Sequence, residues 1–175
     1  VGCDVHVYCE IKKDDKWETV QGACEECGGS GEDEDTIPTC SKCGLTEGLH
    51  VDGKCLFDPG NAVHYKKAPC WRCSGDKIVP VCYGASRDYE LFGKLSDVRG
   101  NGPKLEICVD GMPEDSGPLL VKASTCVDWH SHTHAMLDDL LKVDWDGHGD
   151  WRKTLRMMKK LGPPEKTRVV WWYDN

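Results

Sequence analysis

What the chain lacks narrows it first. No apolar run approaches the ~20 residues needed to cross a bilayer, so no membrane span is expected. Basic charge is scarce: 22 Lys and Arg stand against 30 Asp and Glu, a net charge of −8. A phosphate backbone wants a basic face, so this balance argues against a nucleic-acid partner. One local basic patch, Arg152, Lys153, Arg156, Lys159 and Lys160, runs against the trend. Aromatic residues make up only 8 %. Tyr89, Trp129 and Trp172 could stack on a base or ring, but most aromatics are expected in the core. There is no P-loop, no GxGxxG, no Ser-nucleophile elbow and no HExxH, which leaves many standard enzyme classes without support. The start, VGCDVHVY, has no apolar signal-peptide region, and the expected setting is a reduced, cytoplasmic one.

Cysteine, by contrast, is plentiful: 12 of 175 residues. Three CxxC knuckles fall between Cys24 and Cys73, as CEECGGSG, CSKCG and PCWRCSG, with a lone Cys55 between the second and the third. Two thiolates two residues apart can face one ion, and the glycines let the backbone turn tightly enough to aim N–H groups at the sulfurs. Zinc is the expected ion, as one or two structural sites drawn from Cys24, Cys27, Cys40, Cys43, Cys55, Cys70 and Cys73. Spacing alone admits a sequential ribbon, Cys24 and Cys27 with Cys40 and Cys43. The other five cysteines, Cys3, Cys9, Cys82, Cys108 and Cys126, sit among apolar neighbours and are expected to be buried thiols.

The segment 24–73 resembles the cysteine-rich zinc domain of the DnaJ/Hsp40 chaperones. Cys24–Gly31 has the CxxCxGxG form of those repeats, and Pro69–Gly75 is similar to the last one. The resemblance implies that the first and last repeats share a zinc, Cys24 and Cys27 with Cys70 and Cys73. Cys40 and Cys43 would then begin a second site. The third repeat is reduced to Cys55, so a further ligand would come from His50, His64, Asp58 or water. No HPD motif precedes the segment, so the resemblance covers only this insert.

The remaining 125 residues, 1–23 and 74–175, suffice for one domain with its own core. Residues 3–11 alternate with period two: Cys3, Val5, Val7, Cys9 and Ile11 on one face, Asp4, His6, Tyr8 and Glu10 on the other. This predicts a strand, with Trp17–Val20 as its hairpin return. Short strands are expected at Ile78–Tyr83 and Leu105–Val109. Helices are expected at Asp88–Leu95, at Ala135–Val143 with Thr133 as N-cap, and at Trp151–Leu161 capped by Asp150. Thr167–Tyr173, rich in β-branched and aromatic residues, reads as a terminal strand beside the first. The fold class is α+β: a small mixed or antiparallel sheet with two to three helices, plus the inserted zinc-knuckle subdomain.

A second constellation is Asp128-Trp129-His130-Ser131-His132-Thr133-His134. In an extended chain its three histidines would project to one side, as a strand presents imidazoles to a metal. Asp4 and His6 form a similar alternate pair. Together Asp4, His6, His130 and His132 are candidate ligands of a third metal that could activate water, with Arg87 or Arg99 gripping a phosphate or carboxylate. The competing reading makes these histidines helix caps and partners of buried polar groups, and the arginines salt-bridge formers.

The main domain also resembles a family of bacteriophage and prophage proteins. The resemblance rests on Gly2–His6, the Arg87–Arg99 stretch, Gly111-Met112-Pro113, Trp129–Thr133 and Val170–Asn175. It implies a viral origin and a role inside the host cell during infection, and it implies no reaction. Three functions are compatible with these features. One is an accessory or counter-defence protein that binds a host protein or a small nucleotide signal. Another is a metal-dependent hydrolase of a phosphorylated or nucleotide substrate at the Asp/His set. The third is a zinc-stabilised structural or chaperone-like module.

Overall fold

The structure is a computed structural model that describes residues 3–39, 50–51, 54–55, 58–62, 64–70, 72–85, 87–99 and 103–174, with the backbone alone over 33–68. The chain runs β1 (Val5–Lys13), β2 (Lys16–Thr19), β3 (Gln21–Ala23), β4 (Glu32–Thr39), β5 (His50–Val51), β6 (Lys54–Cys55), β7 (Asp58–Ala62) and β8 (His64–Pro69). It continues through β9 (Ile78–Pro80), α1 (Tyr89–Ser96), β10 (Val109–Asp110), α2 (Pro118–Ala123), β11 (His130–Met136), α3 (Leu137–Leu140), α4 (Gly149–Met158) and β12 (Thr167–Tyr173). It divides into two compact units, residues 22–79 and the remainder. No helix among the described residues is long and apolar enough to cross a membrane.

The larger unit is α+β, built on a five-stranded sheet ordered β10-β11-β12-β1-β2 with antiparallel pairing throughout. Its terminal strand lies between β11 and β1, with Val5 opposite Tyr173 and Ile11 opposite Thr167. Alternation along β1 and β12 builds two cores. Val5, Val7, Cys9, Val169, Trp171 and Tyr173 meet Leu91, Phe92 and Leu95 of α1, Leu137 and Leu140 of α3, and Trp151, Leu155 and Met158 of α4. On the opposite face Tyr8, Val170 and Trp172 pack with Leu120 of α2 and with Met112, Ala123 and Trp129. Every residue of β12 is therefore buried, which explains why TRVVWWY reads as a continuous apolar run rather than an alternating one.

The period-two reading of β1 holds for its apolar face, but its polar face is not a solvent face. Glu10 is fully buried and is satisfied from several directions. Arg168 donates to its Oε2 through Nε at 3.1 Å and Nη2 at 2.6 Å, and the Gly117 N–H donates to Oε1 at 2.7 Å. Arg168 also bonds Asp115 at 2.7 Å and lies 4.2 Å over the Trp17 ring. A Cβ at position 117 would lie 2.9 Å from Thr19 Oγ1 and 3.0 Å from the Trp17 carbonyl, so glycine lets the loop close on the carboxylate.

Several expected boundaries move, and at Ala135 and Met136 long-range pairing overrides local spacing. Ala135–Val143 is not one helix: Ala135 and Met136 remain in β11, opposite Val169 and Arg168, and the helix spans only Leu137–Leu140. Thr133 is no N-cap but a buried strand residue, its hydroxyl bonded to Ser96 Oγ at 2.8 Å. Within Leu105–Val109 only Val109 is in a strand, because the Leu105 N–H goes to the end of α1 at Lys94 and that of Cys108 back to Leu105. The Ile78–Tyr83 strand ends at Pro80. The last helix starts at Gly149, with His148 rather than Asp150 at its N-cap, and stops at Met158. Asp88 caps α1, accepting the Leu91 N–H at 3.0 Å.

In the smaller unit β4 pairs with β8, and β5, β6 and β7 form a three-stranded antiparallel meander. The β3–β9 ladder closes its neck.

Candidate functional site

The two knuckles at the ends of the insert meet. Sγ of Cys24 lies 3.8 Å from that of Cys70, and Sγ of Cys27 lies 3.8 Å from that of Cys73. All four sulfurs fall within 4.8 Å of one another. A disulfide needs about 2.05 Å, so these are four free thiols. A tetrahedron of ~2.3 Å zinc–sulfur bonds has S···S edges of about 3.8 Å, and the geometry fits that ion. The four cysteines could hold a zinc ion.

The backbone is arranged around the sulfurs. Gly31 joins the knuckles: its N–H donates to Cys27 Sγ at 3.3 Å and its carbonyl accepts the Cys70 N–H at 3.0 Å. It does so at φ +80°, where a Cβ would stand 2.8 Å from the Gly75 carbonyl oxygen. No other residue type fits there without a shift. Desolvation pushes the Cys27 thiol up. The N–H groups of Gly31 and Gly29, with the Cys24 and Cys73 sulfurs, outweigh it and bring it down to about 6. At Cys70 the N–H of Cys73 favours the thiolate, but desolvation and the neighbouring sulfurs push it up to about 11. Four thiols this close cannot all ionise without a cation to share their charge.

This pairing joins first knuckle to last, so Cys24 and Cys27 are not partnered in sequence with Cys40 and Cys43. Cys40 and Cys43 lie outside the described residues. Cys55 is in β6, and His50, Asp58 and His64 are in β5, β7 and β8, with backbone alone described.

The Asp/His set is placed differently. The Asp4 carboxylate takes two hydrogen bonds from Arg87, at 2.5 Å from Nε and 3.0 Å from Nη2, and these hold it below the usual carboxylate range. His6 Nε2 lies 3.0 Å from Asp174 Oδ2. His130 and His132 do not face one side as an unbroken strand would require. Ser131 takes φ +54°, and two residues of β11 there oppose one of β12. This bulge turns His130 over the Tyr173 ring at 6.0 Å and His132 over Trp172 at 5.3 Å, and Tyr173 and Trp172 belong to opposite faces of the sheet. Nε2 of both imidazoles is buried without a protein hydrogen-bond partner. His134 bonds the Gly111 carbonyl at 3.0 Å. Arg99 lies 6.0 Å over the Tyr89 ring. Among the described residues, the four cysteines are the one group of three or more metal-ligating side chains that gathers around a point. The expected third-metal set is not gathered, because an ion pair occupies Asp4, Asp174 occupies His6, and the bulge separates the two histidines.

His132 lines an open cleft of about 510 Å³ with Ser96, Asp110, Gly111, Met112, Ser124 and Ser131. Desolvation lowers its pKa below the ordinary histidine value, which favours the neutral imidazole.

Cysteine placement is partly corrected. Cys3, Cys9 and Cys108 are buried, and burial pushes the last two up to about 12. Cys82 and Cys126 are exposed, not buried as expected. Cys82 follows Val81, whose N–H bonds the Val20 carbonyl, and its neighbour Tyr83 donates to Val7 at 2.8 Å. The apolar neighbours of Cys82 in sequence therefore record a strand-like path along β1, not the direction of the thiol. The pairing of His6 with Asp174 had no local signal.

No family model matches the chain, and neither a curated protein nor a solved structure matches it.

Proposed function

We propose that this protein is a zinc-binding accessory protein that works by recognition of a protein partner. Zinc at Cys24, Cys27, Cys70 and Cys73 ties the ends of residues 22–79 into a presented insert. The observation that carries this reading is the set of four sulfurs within 4.8 Å, set by backbone N–H groups rather than left open to substrate. All four positions of a tetrahedral ion are taken by thiolates, which is the pattern of a structural site; a catalytic zinc keeps one position for water.

The resemblance of the main domain to phage and prophage proteins supports a role in the infected host, in counter-defence or host takeover. A host protein is favoured over a nucleotide signal. Phosphates are gripped by Arg, Lys or clustered N–H groups, whereas the cleft beside His132 is lined by Asp110 and, among the described residues, by no Lys or Arg. The metal-hydrolase alternative is weakened by the engagement of Asp4 with Arg87 and of His6 with Asp174.

Native mass spectrometry of the zinc-loaded chain tests the reading. The wild type should carry zinc, a Cys70→Ser/Cys73→Ser variant should lose one ion, and a His130→Ala/His132→Ala variant should lose none. An unchanged ion count in the cysteine variant would remove the basis for this assignment. A metal lost with the histidines would restore the hydrolase.

A further inference from the structure

The cleft beside His132 belongs to the larger unit and has no part in the zinc cluster. It is lined by Asp110, Gly111 and Met112 from β10 and the turn after it, and by Ser131 and His132 from β11. Ser96 and Ser124, at the C-terminal ends of α1 and α2, complete it. Its volume of about 510 Å³ is that of a small-molecule site. Two residues in the left-handed region shape it, Ser131 at φ +54° and Gly111 at φ +96°. Serine is strained there, and its neighbours over-determine the conformation. The Thr133 hydroxyl donates to the Ser131 carbonyl at 3.0 Å and accepts from Ser96 Oγ at 2.8 Å. Ser96 Oγ in turn accepts from Trp171 Nε1 at 2.8 Å and from the Tyr173 hydroxyl at 3.3 Å. Across the ladder the Gly111 N–H donates to the His132 carbonyl at 2.7 Å, and the Gly111 carbonyl meets His134 Nδ1 at 3.0 Å. The walls are therefore set before any ligand arrives, which lowers the entropic cost of binding.

The hydrogen-bonding capacity left over at the cleft is chiefly that of acceptors. Ser124 donates its hydroxyl proton to the Val121 carbonyl at 2.9 Å, so its oxygen lone pairs remain. Lys104 Nζ stands 2.5 Å from Asp110 Oδ1, and the second carboxylate oxygen remains to accept. His132 Nε2 is buried with no hydrogen-bond partner among the described residues. A buried imidazole nitrogen left unpaired is costly, and a ligand hydroxyl would offset that cost. The charges balance: Lys104 offsets Asp110, and desolvation favours the uncharged His132 ring. With no Lys or Arg in the lining among the described residues, nothing grips a phosphate. No Phe, Tyr or Trp lines the cleft among the described residues either, so a flat base has no ring to stack on. Met112 supplies apolar surface. A neutral ligand rich in O–H donors fits these terms.

We propose that the cleft binds a neutral sugar ring through a vicinal diol, with Asp110 and His132 accepting hydroxyl protons and Met112 covering a C–H face. Each sugar hydroxyl is donor and acceptor at once, as are the serine hydroxyls that meet it. A free monosaccharide and the ribose of a nucleoside both carry such a diol, and the test separates them. The site is independent of the zinc reading and adds a small-molecule ligand to a protein proposed to recognise a protein partner.

The test is an NMR titration of the zinc-loaded full chain. Methyl α-D-glucopyranoside, D-ribose and uridine are the sugar probes; 2′-deoxyuridine, methylammonium chloride and sodium phosphate are the controls. A sugar probe should shift the amides of Gly111, Ser124 and Ser131 and the ring signals of His132 saturably, and equally at low and high salt, as a neutral ligand must. A response to the glucoside identifies a free sugar. A response to uridine that 2′-deoxyuridine does not share identifies a nucleoside ribose. Asp110→Asn, at a side chain 75 % exposed, should keep the fold and weaken the sugar roughly tenfold. His132→Ala should weaken it as well, and the Asp110 comparison stands if that variant fails to fold. Failure of every sugar probe to move these signals would overturn the proposal. So would tighter binding of methylammonium or phosphate than of any sugar, equal binding of uridine and 2′-deoxyuridine with no response to the other two sugars, or unchanged affinity in Asp110→Asn.

Discussion

The two units of this chain are held together by different physics. In the larger one, residues before 22 and after 79 bury a sheet on both faces, with Trp151, Trp171, Trp172 and Tyr173 among its fully covered side chains. In the smaller one the described core consists of Cys24, Cys70 and Cys73, with Cys27 and Val79 beside them. Apolar area stabilises the first, whereas the described core of the second is four thiols that could hold a zinc ion. The difference separates two kinds of vulnerability. The larger unit is expected to be sensitive to lost volume and unpaired charge, and the smaller, on the proposed zinc reading, to metal removal or to a side chain forced into a positive-φ turn.

The contrast is broken most completely by taking the metal away. A zinc chelator, or Cys70→Ser/Cys73→Ser, should abolish amide-exchange protection across 22–79, since a site absent from the unfolded chain makes metal binding part of folding. Protection in β1, β11 and β12 should persist. Loss of protection in both units together would show that they do not fold independently. The larger unit has its own point of failure at the buried ion pair. Glu10→Ala leaves Arg168 buried beside a missing carboxylate, and should cost about 3–5 kcal/mol in urea unfolding without changing the zinc count.

Smaller effects sharpen the comparison. Gly31→Ala forces a side chain into φ +80° and against the Gly75 carbonyl. It should cost about 1–2 kcal/mol, read as weaker zinc affinity in a competition titration. Asp88→Ala removes the α1 cap and should cost about 1 kcal/mol at pH 7. Desolvation raises the Asp88 pKa, but the Leu91 N–H and His148 outweigh it and the net shift is downward. A carboxylate with a depressed folded pKa contributes stability above its unfolded value, near 3.9, and that contribution is lost as pH falls through the folded value. The difference between variant and wild type should therefore shrink as pH is lowered below the ordinary carboxylate range, as chemical denaturation across a pH series would reveal. Least affected should be Arg87→Ala. Both partners of the Arg87–Asp4 pair are about half exposed, so thermal midpoints should agree within repeat error.

Much of the architecture was legible in the residues. Alternation in β1 marked the face formed by Cys3, Val5, Val7 and Cys9, and β-branched and aromatic enrichment marked β12. Spacing and glycine tails marked Cys24, Cys27, Cys70 and Cys73 as metal-binding in type. Boundaries failed where a strand partner outbid helical periodicity, as at Ala135 and Met136 opposite β12. The reading of the histidines failed at Ser131, where one left-handed residue reversed the alternation that should have kept His130 and His132 together. The exposure of Cys82 was not legible, because its apolar neighbours in sequence describe its backbone path and not its side chain.

The sequence by itself determined what each segment could do with its near neighbours. It set which residues alternate along a strand, which thiols sit two apart and which turns need glycine, because those depend on spacings of a few residues. The tertiary structure decided which distant groups meet. Placing β12 between β1 and β11 buried Glu10 against Arg168 and set Asp174 beside His6. Closing the insert brought Cys70 and Cys73 to Cys24 and Cys27. Such meetings depend on the topology that buries the most apolar surface while pairing every buried charge, and no short stretch of sequence carries that sum.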